Sequence, residues 1–428
     1  MVTEKNLPAD ASLPPVLQGF DLTDQSGFAA GIPYELFARL RREAPVLLHP
    51  PGRLTDGESF WVLTRHADIA AASADPAYSS QGGGGRAGGG SHLEDLPVGG
   101  GLTGTVLAMM DNPRHDVFRH LLAPALTGGV VKSMEPELRS RAEALADRAV
   151  AAGRVNLVDD YSEPFSLQSV ALLLGIPPRD WPVLTAWVHA VLGFTDRRTG
   201  LADERSRQTY TELRGYFGGL LAAKRLDPGE DLGTLLALGE LPEGTGQPPL
   251  TEVEREANTS VLLVSGFEQP RNTIAGGLLG FAHHPDQWRQ LRADRSLLPG
   301  AVEEVLRWLP ANPYNRRTLT RDVELHGQRM RAGDKVTLWW PSANRDETVF
   351  ADPDRFDIRR DPNPHLSFGY GTHYCLGDEF GRLEIRLALE ALLDRVAEIR
   401  PAGPETWAPN HKHTVLLDAP VELVPAAH

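Results

Sequence analysis

One residue type in this chain occurs only once: cysteine, at position 375. It lies in Phe368-Gly369-Tyr370-Gly371-Thr372-His373-Tyr374-Cys375-Leu376-Gly377, where three glycines imply a tight loop whose backbone N–H groups can point at sulfur. A helix is expected just beyond it, with Phe380, Leu383, Leu387 and Ala391 spaced to share one apolar face. The N-terminus of such a helix favours a thiolate. A thiolate held this way suits a nucleophile or a metal ligand. A nucleophile needs a base, and His373 can be proposed, yet no Cys-His-Asn pattern of a protease accompanies it. As a lone ligand, Cys375 can hold only a metal whose other ligands come from elsewhere, as a porphyrin supplies them to iron. The plain alternative is a buried, inert cysteine. An intramolecular disulfide and a multi-cysteine zinc or iron–sulfur site are both excluded.

The elements that must position this loop are mainly helical. Helical spacing begins at Pro33–Ala44, and short strands are expected at Val46–Leu48 and Phe60–Leu63, followed by a helix at Ala67–Ala74. Residues 81–104 contain eleven glycines, which rules out a regular element and leaves a flexible linker or a mobile lid. Helices are then expected at about 114–126, 135–151, 163–173, 180–194, 203–224 and 232–238. From Thr251 to about His284 runs the longest pattern, opened by the capping box Thr251 and Glu254. At ~1.5 Å per residue it would cross a whole small domain. Ser265-Gly266-Phe267-Glu268-Gln269-Pro270 sits in its middle. Pro270 offers no N–H to the carbonyl of Gly266, so the expectation is one kinked helix facing a ligand rather than two helices and a turn. A helix at Leu298–Leu309 and strands at Val323–Leu325 and Lys335–Trp340 follow. The aperiodic stretch 341–374 is too long for an ordinary connection and is therefore disordered or functional.

Composition narrows the class. The chain has 428 residues, 43 Lys plus Arg against 57 Asp plus Glu, a net charge of −14, 41% apolar and 23% charged residues. These values fit a soluble protein with a large core and oppose a nucleic-acid or anionic-membrane partner. No stretch reaches the ~20 apolar residues of a membrane span, and the polar start suggests a cytoplasmic protein whose residues 1–17 form a loose arm. No internal repeat is visible. The fold expected for 18–428 is one mainly helical domain with a small β region.

Several motifs in order resemble the cytochromes P-450, the haem-thiolate monooxygenases. Phe368-x-x-Gly371-x-x-x-Cys375-x-Gly377 is similar to the family's haem-binding signature, Glu304-Val305-Leu306-Arg307 to the Glu-x-x-Arg of its K helix, and Pro353-Asp354-Arg355-Phe356 to its Pro-x-Arg-Phe segment. Asn344-Arg345-Asp346 fits just upstream, and Met110-Asp111-x-Pro113-x-His115-x-x-x-Arg119 resembles the C-helix motif. The resemblance spans residue 30 to the end. It implies haem b with iron on Cys375, placed between the long helix and the cysteine loop. It implies propionate contacts from His115, Arg119, Arg317 (with Arg316 beside it as the competing candidate) and His373, with Phe368 and Gly377 against the sulfur ligand. It also implies a buried structural set of Glu304, Arg307 and Arg355. The segment 81–104 becomes a substrate-covering loop. Val264, Ser265, Asn312, Pro313 and His413-Thr414-Val415 become pocket residues, whose polar members suggest a mid-sized natural product bearing heteroatoms.

One departure stands out. The family usually has an acid followed by Thr-Thr in the central helix, where the threonine helps deliver protons; here Glu268-Gln269-Pro270 occupies the place. Gly266, Glu268 and Gln269 are the catalytic candidates. Gln269 can order water or substrate, the reaction can be a C–C or C–N coupling, or peroxide can replace O2. Glu268 can also be structural, paired with Arg271. The implied partners are a ferredoxin and its NAD(P)H-dependent reductase, docking near Arg114, Arg119, Arg382 and Arg386, with the enzyme a monomer. A non-catalytic haem-binding protein is the reading from another class.

Overall fold

The computed structural model describes residues 12–98, 102–191 and 204–426. Apolar helical spacing becomes helix where it was expected: Tyr34–Glu43, His66–Ala74, Arg114–Leu122, Glu163–Leu173, Leu232–Leu238 and Leu298–Trp308. The helix expected at 135–151 begins earlier, at Gly128, and runs to Ala152. Of the expected 180–194 helix, Trp181–Val191 is helical and the remainder lies outside the described residues; Glu204–Leu226 follows.

At the centre is one helix, Glu252–His283, with Pro270 inside it. Its start is fixed as the sequence implies: Thr251 accepts from the Glu254 N–H, and the Glu254 carboxylate accepts from the Thr251 N–H at 2.8 Å. Glycines let neighbours approach it closely. A Cβ on Gly266 would meet Val170 at 2.6 Å, one on Gly277 would meet Val305 at 2.5 Å, and one on Gly276 would meet Leu309 at 2.0 Å. Helices Glu163–Leu173 and Leu298–Trp308 therefore lie directly on it. One buried apolar cluster reaches from Met110 to Leu423 and includes Leu263, Phe267, Ile274 and Leu278 of this helix.

The β region is small. Its main sheet orders Val46–His49, Phe60–Leu63, Lys335–Trp339, Tyr314–Leu319 and Tyr78–Ser79. Lys335–Trp339 pairs parallel to Phe60–Leu63 and antiparallel to Tyr314–Leu319, with Val336 opposite Arg317. A second sheet of Val396–Pro401, Pro420–Pro425 and Arg154–Asn156 closes the C-terminal end. Strand Tyr314–Leu319 carries Asn315, Arg316 and Arg317 and had not been expected, because charge masks its β pattern.

Two expectations need correction. The loose arm 1–17 falls mostly outside the described residues, but Pro15–Leu17 forms a 3-10 turn that buries Leu17 at 1% exposure. The glycine-rich segment, in its described part, is closely packed. Gly88–Gly89 pairs with Leu96–Pro97. At Gly84, where φ is +62°, a Cβ would lie 2.2 Å from the Gly333 nitrogen and the Leu319 oxygen. Arg316 donates to the carbonyls of Glu94 (3.2 Å) and His92 (3.4 Å) and pairs with Asp95 at 2.8 Å, while Arg86 pairs with Asp95 and Glu58. The glycines here permit close backbone contact, which is neither a linker's role nor a freely mobile lid's.

Candidate active site

The Cys375 loop is built by backbone geometry. The Cys375 N–H donates to the Phe368 carbonyl at 2.8 Å, and Gly371 has a φ of +69°, with Ser73 O only 2.6 Å from where its Cβ would be. The Gly377 N–H bonds toward the sulfur as helix Asp378–Leu393 begins. The Phe368 ring lies under the Arg382 guanidinium at 4.6 Å and 6.3 Å from the Tyr374 ring.

The thiolate expected from that helix start is not what the chain alone favours. Burial pushes the Cys375 thiol up to about 11, outweighing the Gly377 N–H. Nor can His373 act as a base, since burial, then Arg317, His115 and Arg119, hold it down to about 2. A protonated thiol beside so weak a base is no nucleophile, which leaves ligation or a buried, inert cysteine. A metal competes with the thiol proton directly. Among the described residues no cluster of three or more His, Cys, Asp or Glu side chains could hold a metal, so one at Cys375 must bring its other ligands.

Beside the loop, four basic side chains converge from three elements. The His115 and His373 rings are 4.4 Å apart, with His115 1% exposed. Arg317, 5% exposed, donates to the Arg316 carbonyl at 3.0 Å, and burial lowers its pKa to about 10. Asp111 acts on Arg317 but is itself engaged by Ser79 and by the Ser80 N–H at 2.9 Å. Burial opposes any charge at His373, but Arg317, His115 and Arg119 around it set up a positive potential that suits carboxylates. The strand also separates the two arginine candidates. Adjacent residues point to opposite faces, so Arg317 turns toward His373 while Arg316 turns to the glycine-rich segment.

The bracing set is corrected in one member. Glu304 and Arg307, both 0% exposed, pair twice at 2.7 Å. The third partner is Arg360, at 3.2 Å from Glu304, and not Arg355, whose side chain is 61% exposed. Here the 353–355 segment presents its carbonyls inward: Arg307 donates to Pro353 O at 2.8 Å and Arg355 O at 3.0 Å. Asn363 at 3.1 Å and the Asp357 N–H at 2.8 Å complete the shell of Glu304. Asn344 links this set to the loop by accepting from Leu366 N–H at 2.7 Å and donating to Ser367 at 2.8 Å.

On the central helix, Glu268 is 1% exposed, accepts from Asn272 at 2.9 Å and lies 3.9 Å from Arg271, which pairs with Glu163 at 2.7 Å. This is the pairing with Arg271 that the sequence allowed. Gln269 reaches the other way, its Nε2 3.4 Å from His413 Nδ1. Val264 is half-buried and Ser265 exposed on the same helix; Asn312, half-buried, donates to Asn315 at 2.9 Å. The docking arginines are neutralised within the chain: Arg114 by Glu254 at 2.6 Å, Arg382 by Glu303 at 2.7 Å and Asp378 at 2.6 Å, and Arg386 by Glu135 at 2.7 Å. Arg119, half-buried, belongs with the His373 cluster. Sequence reasoning missed His92, Lys412 and Arg360; the run His411-Lys412-His413 was the visible signal for the second.

A helical frame around a cysteine loop and a propionate-like cradle defines a haem-thiolate protein. The family model "Cytochrome P450" matches residues 236–420. "Putative cytochrome P450 126" of Mycobacterium tuberculosis is 41% identical over 410 residues, 95% of this chain and 98% of that protein. "Linalool 8-monooxygenase" of Pseudomonas putida is 35% identical over 379 residues, 88% and 92% of the two chains. The solved structure of the bacillaene polyketide synthase cytochrome P450 PksS of Bacillus subtilis superposes with a TM-score of 0.83 at 25% identity, over 95% of this chain and 100% of that one. The chain belongs to the cytochrome P450 family and is a monooxygenase-type oxidoreductase that binds haem b through a cysteine ligand.

Proposed function

We propose that this enzyme draws electrons from a ferredoxin, reduced by NAD(P)H through its reductase in the cytoplasm, and oxidises a mid-sized natural product bearing heteroatoms. The observation that carries the site assignment is the convergence of His115, Arg119, Arg317 and His373 beside the Cys375 loop. Cys375 would hold the iron and those four side chains the propionates. Bound there, haem supplies reductive O2 activation, which a thiolate ligand promotes. The residues of the chain do the rest. The Glu304–Arg307–Arg360 set keeps the loop rigid, and Phe368 shields the sulfur. Gln269 and His413 form a polar wall that orients substrate, and the His413 imidazole can carry a proton where an amide alone cannot. The names of the relatives, linalool oxidation and bacillaene polyketide synthesis, support a natural-product substrate. Hydroxylation and C–C or C–N coupling both suit this site.

Gln269 in place of an alcohol favours one other reading, direct use of hydrogen peroxide. Turnover of a common probe substrate separates the two. With ferredoxin, reductase and NADPH it should exceed turnover with peroxide, and the reduced protein with carbon monoxide should give the family's red-shifted Soret band, absent in Cys375→Ser. Faster peroxide turnover overturns the ferredoxin reading, and a persistent band in the variant overturns the ligand assignment.

A further inference from the structure

The sequence suggests a docking role for Arg382, but its side chain is spent inward. Nε donates to Glu303 Oε1 at 2.7 Å and Nη2 to Glu303 Oε2 at 3.1 Å, a forked pair. Nη1 donates to Asp378 at 2.6 Å and, more weakly, to the Tyr374 hydroxyl at 3.5 Å; that hydroxyl donates to Asp378 at 3.1 Å. Four contacts from a guanidinium with five N–H groups leave little for a partner protein. The flat face is also in use, since Arg382 lies over the Phe368 ring with its guanidinium carbon 4.6 Å from the centroid.

These contacts converge on the cysteine. Phe368 offers its carbonyl to the Cys375 N–H at 2.8 Å, Tyr374 precedes Cys375, and Asp378 opens the helix that follows. Glu303 brings in helix Leu298–Trp308 and is also bonded by His365 at 3.0 Å. Arg382 therefore ties both flanks of Cys375 to a neighbouring helix. An apolar side chain could cover the Phe368 ring without needing two carboxylates to balance it. The charge itself reaches the sulfur. After burial and the Gly377 N–H, the groups acting on Cys375 are Asp378, which opposes a negative sulfur, and Arg119 and Arg382, which favour one. Burial alone would lower the Arg382 pKa, but its bonds to Glu303 and Tyr374 push it above the ordinary value, so this cation is permanent. Asp378 and Arg382 sit one turn apart on one helix and pull the sulfur in opposite directions.

We propose that Arg382 is a positioning residue for electron uptake: it fixes Phe368 on the cysteine loop, and its positive charge, partly offset by Asp378, sets the reduction potential of the iron held by Cys375. A cation beside the ligand stabilises the reduced state, which carries one more electron, and an anion destabilises it. That electron comes from the external reductant, and no bond forms or breaks in the step. The proposal rests on Cys375 as the iron ligand.

Redox titration of the isolated holoenzyme with dithionite and mediators tests this. It is run at low ionic strength, because the Arg382 side chain is 31% exposed and salt screens its charge. Arg382→Met should shift the reduction equilibrium about tenfold toward the oxidised form, about 59 mV for one electron. Arg382→Lys keeps the charge without the fork and should recover more than half of that shift. Asp378→Asn should move the potential the other way. A docking residue would leave the potential of the isolated protein unmoved, and a residue that only packed the loop would not give opposite shifts for the two partners of one ion pair. Unmoved potentials, or shifts of the same sign in Arg382→Met and Asp378→Asn, would overturn the proposal. So would an Arg382→Lys variant shifted as far as Arg382→Met. Should Arg382→Met fail to fold, Asp378→Asn still decides, since an unmoved or lowered potential there overturns it. Absence of the red-shifted carbon monoxide band in the unaltered protein would instead strike the assignment of Cys375 as ligand.

Discussion

Glu304 shows how much one buried carboxylate does here. It accepts from Arg307, Arg360, Asn363 and the Asp357 N–H, so the irregular stretch that leads to Cys375 hangs on one side chain. Glu304→Gln would leave two buried guanidiniums short of charge, at a cost of about 3–5 kcal/mol. Arg360→Met should be costly for the same reason. Arg355→Ala should change stability by under about 0.5 kcal/mol, because that side chain is exposed. Urea denaturation of the three holoproteins checks the order, and an Arg355 variant as damaged as Arg360→Met would reverse the correction. At this scale the sequence was legible where order and spacing were fixed, as for the cysteine ligand and the buried Glu304–Arg307 pair. It was misleading at Arg355, because a motif names a residue without saying whether its side chain or its carbonyl makes the contact. Lys412 and His92 were hidden for a related reason: nothing in a local run tells a solvated lysine from one folded against Ser91 and Tyr314.

At the scale of elements, periodicity read the helices well and glycine read poorly. The central helix is continuous through Pro270 because packing on both sides outweighs the lost hydrogen bond, and the apolar spacing through Ile274, Leu278 and Phe281 had already implied this. Strand Tyr314–Leu319 was invisible because the buried residues between its apolar ends, Arg316, Arg317 and Thr318, are polar and break the apolar alternation. The glycine-rich segment was read as mobile because glycine costs most entropy to order, whereas several of its glycines exist so that backbones can touch. Gly84 and Gly85 separate these effects. Both have positive φ, but only Gly84 would place a Cβ against backbone. Gly84→Ala should therefore free the segment and raise protease cleavage within 81–98 several-fold, while Gly85→Ala should show only backbone strain of about 1 kcal/mol. Limited proteolysis of the two holoproteins decides it, and equal cleavage would return the segment to the status of a loose lid.

For the whole molecule, net charge and local pairing make opposite demands on stability. The chain carries −14 at pH 7 and its pI is about 5.5, so relief of self-repulsion alone would make it most stable near pH 5.5. The local groups point the other way. Arg386 and then Arg139 hold Glu135 down to about 2. Burial would raise Glu163 and Glu303, but His189 with Arg271, and His365 with Arg382, bring each to about 2. These carboxylates titrate near 4.5 when unfolded, so their contribution is complete above that value and is lost as pH falls toward 2. His411 is held neutral to about 3 by burial, then Lys412 and His413, against 6.5 unfolded. The unfolded chain thus takes up its proton first, and stability falls from pH 6.5 downward. Lys412, at about 7 against 10.5, adds stability as pH rises between those values. All three effects have the same sign, so the urea midpoint should fall steadily from pH 8 through 6 to 4, steepening below 4.5 as the carboxylates protonate. A maximum at pH 5.5 would mean that the bulk charge outweighs the buried pairs. Separate Glu163→Gln and Glu303→Gln variants should each flatten the acid limb while leaving the slope above pH 7 intact, since Lys412 acts there and the carboxylates do not.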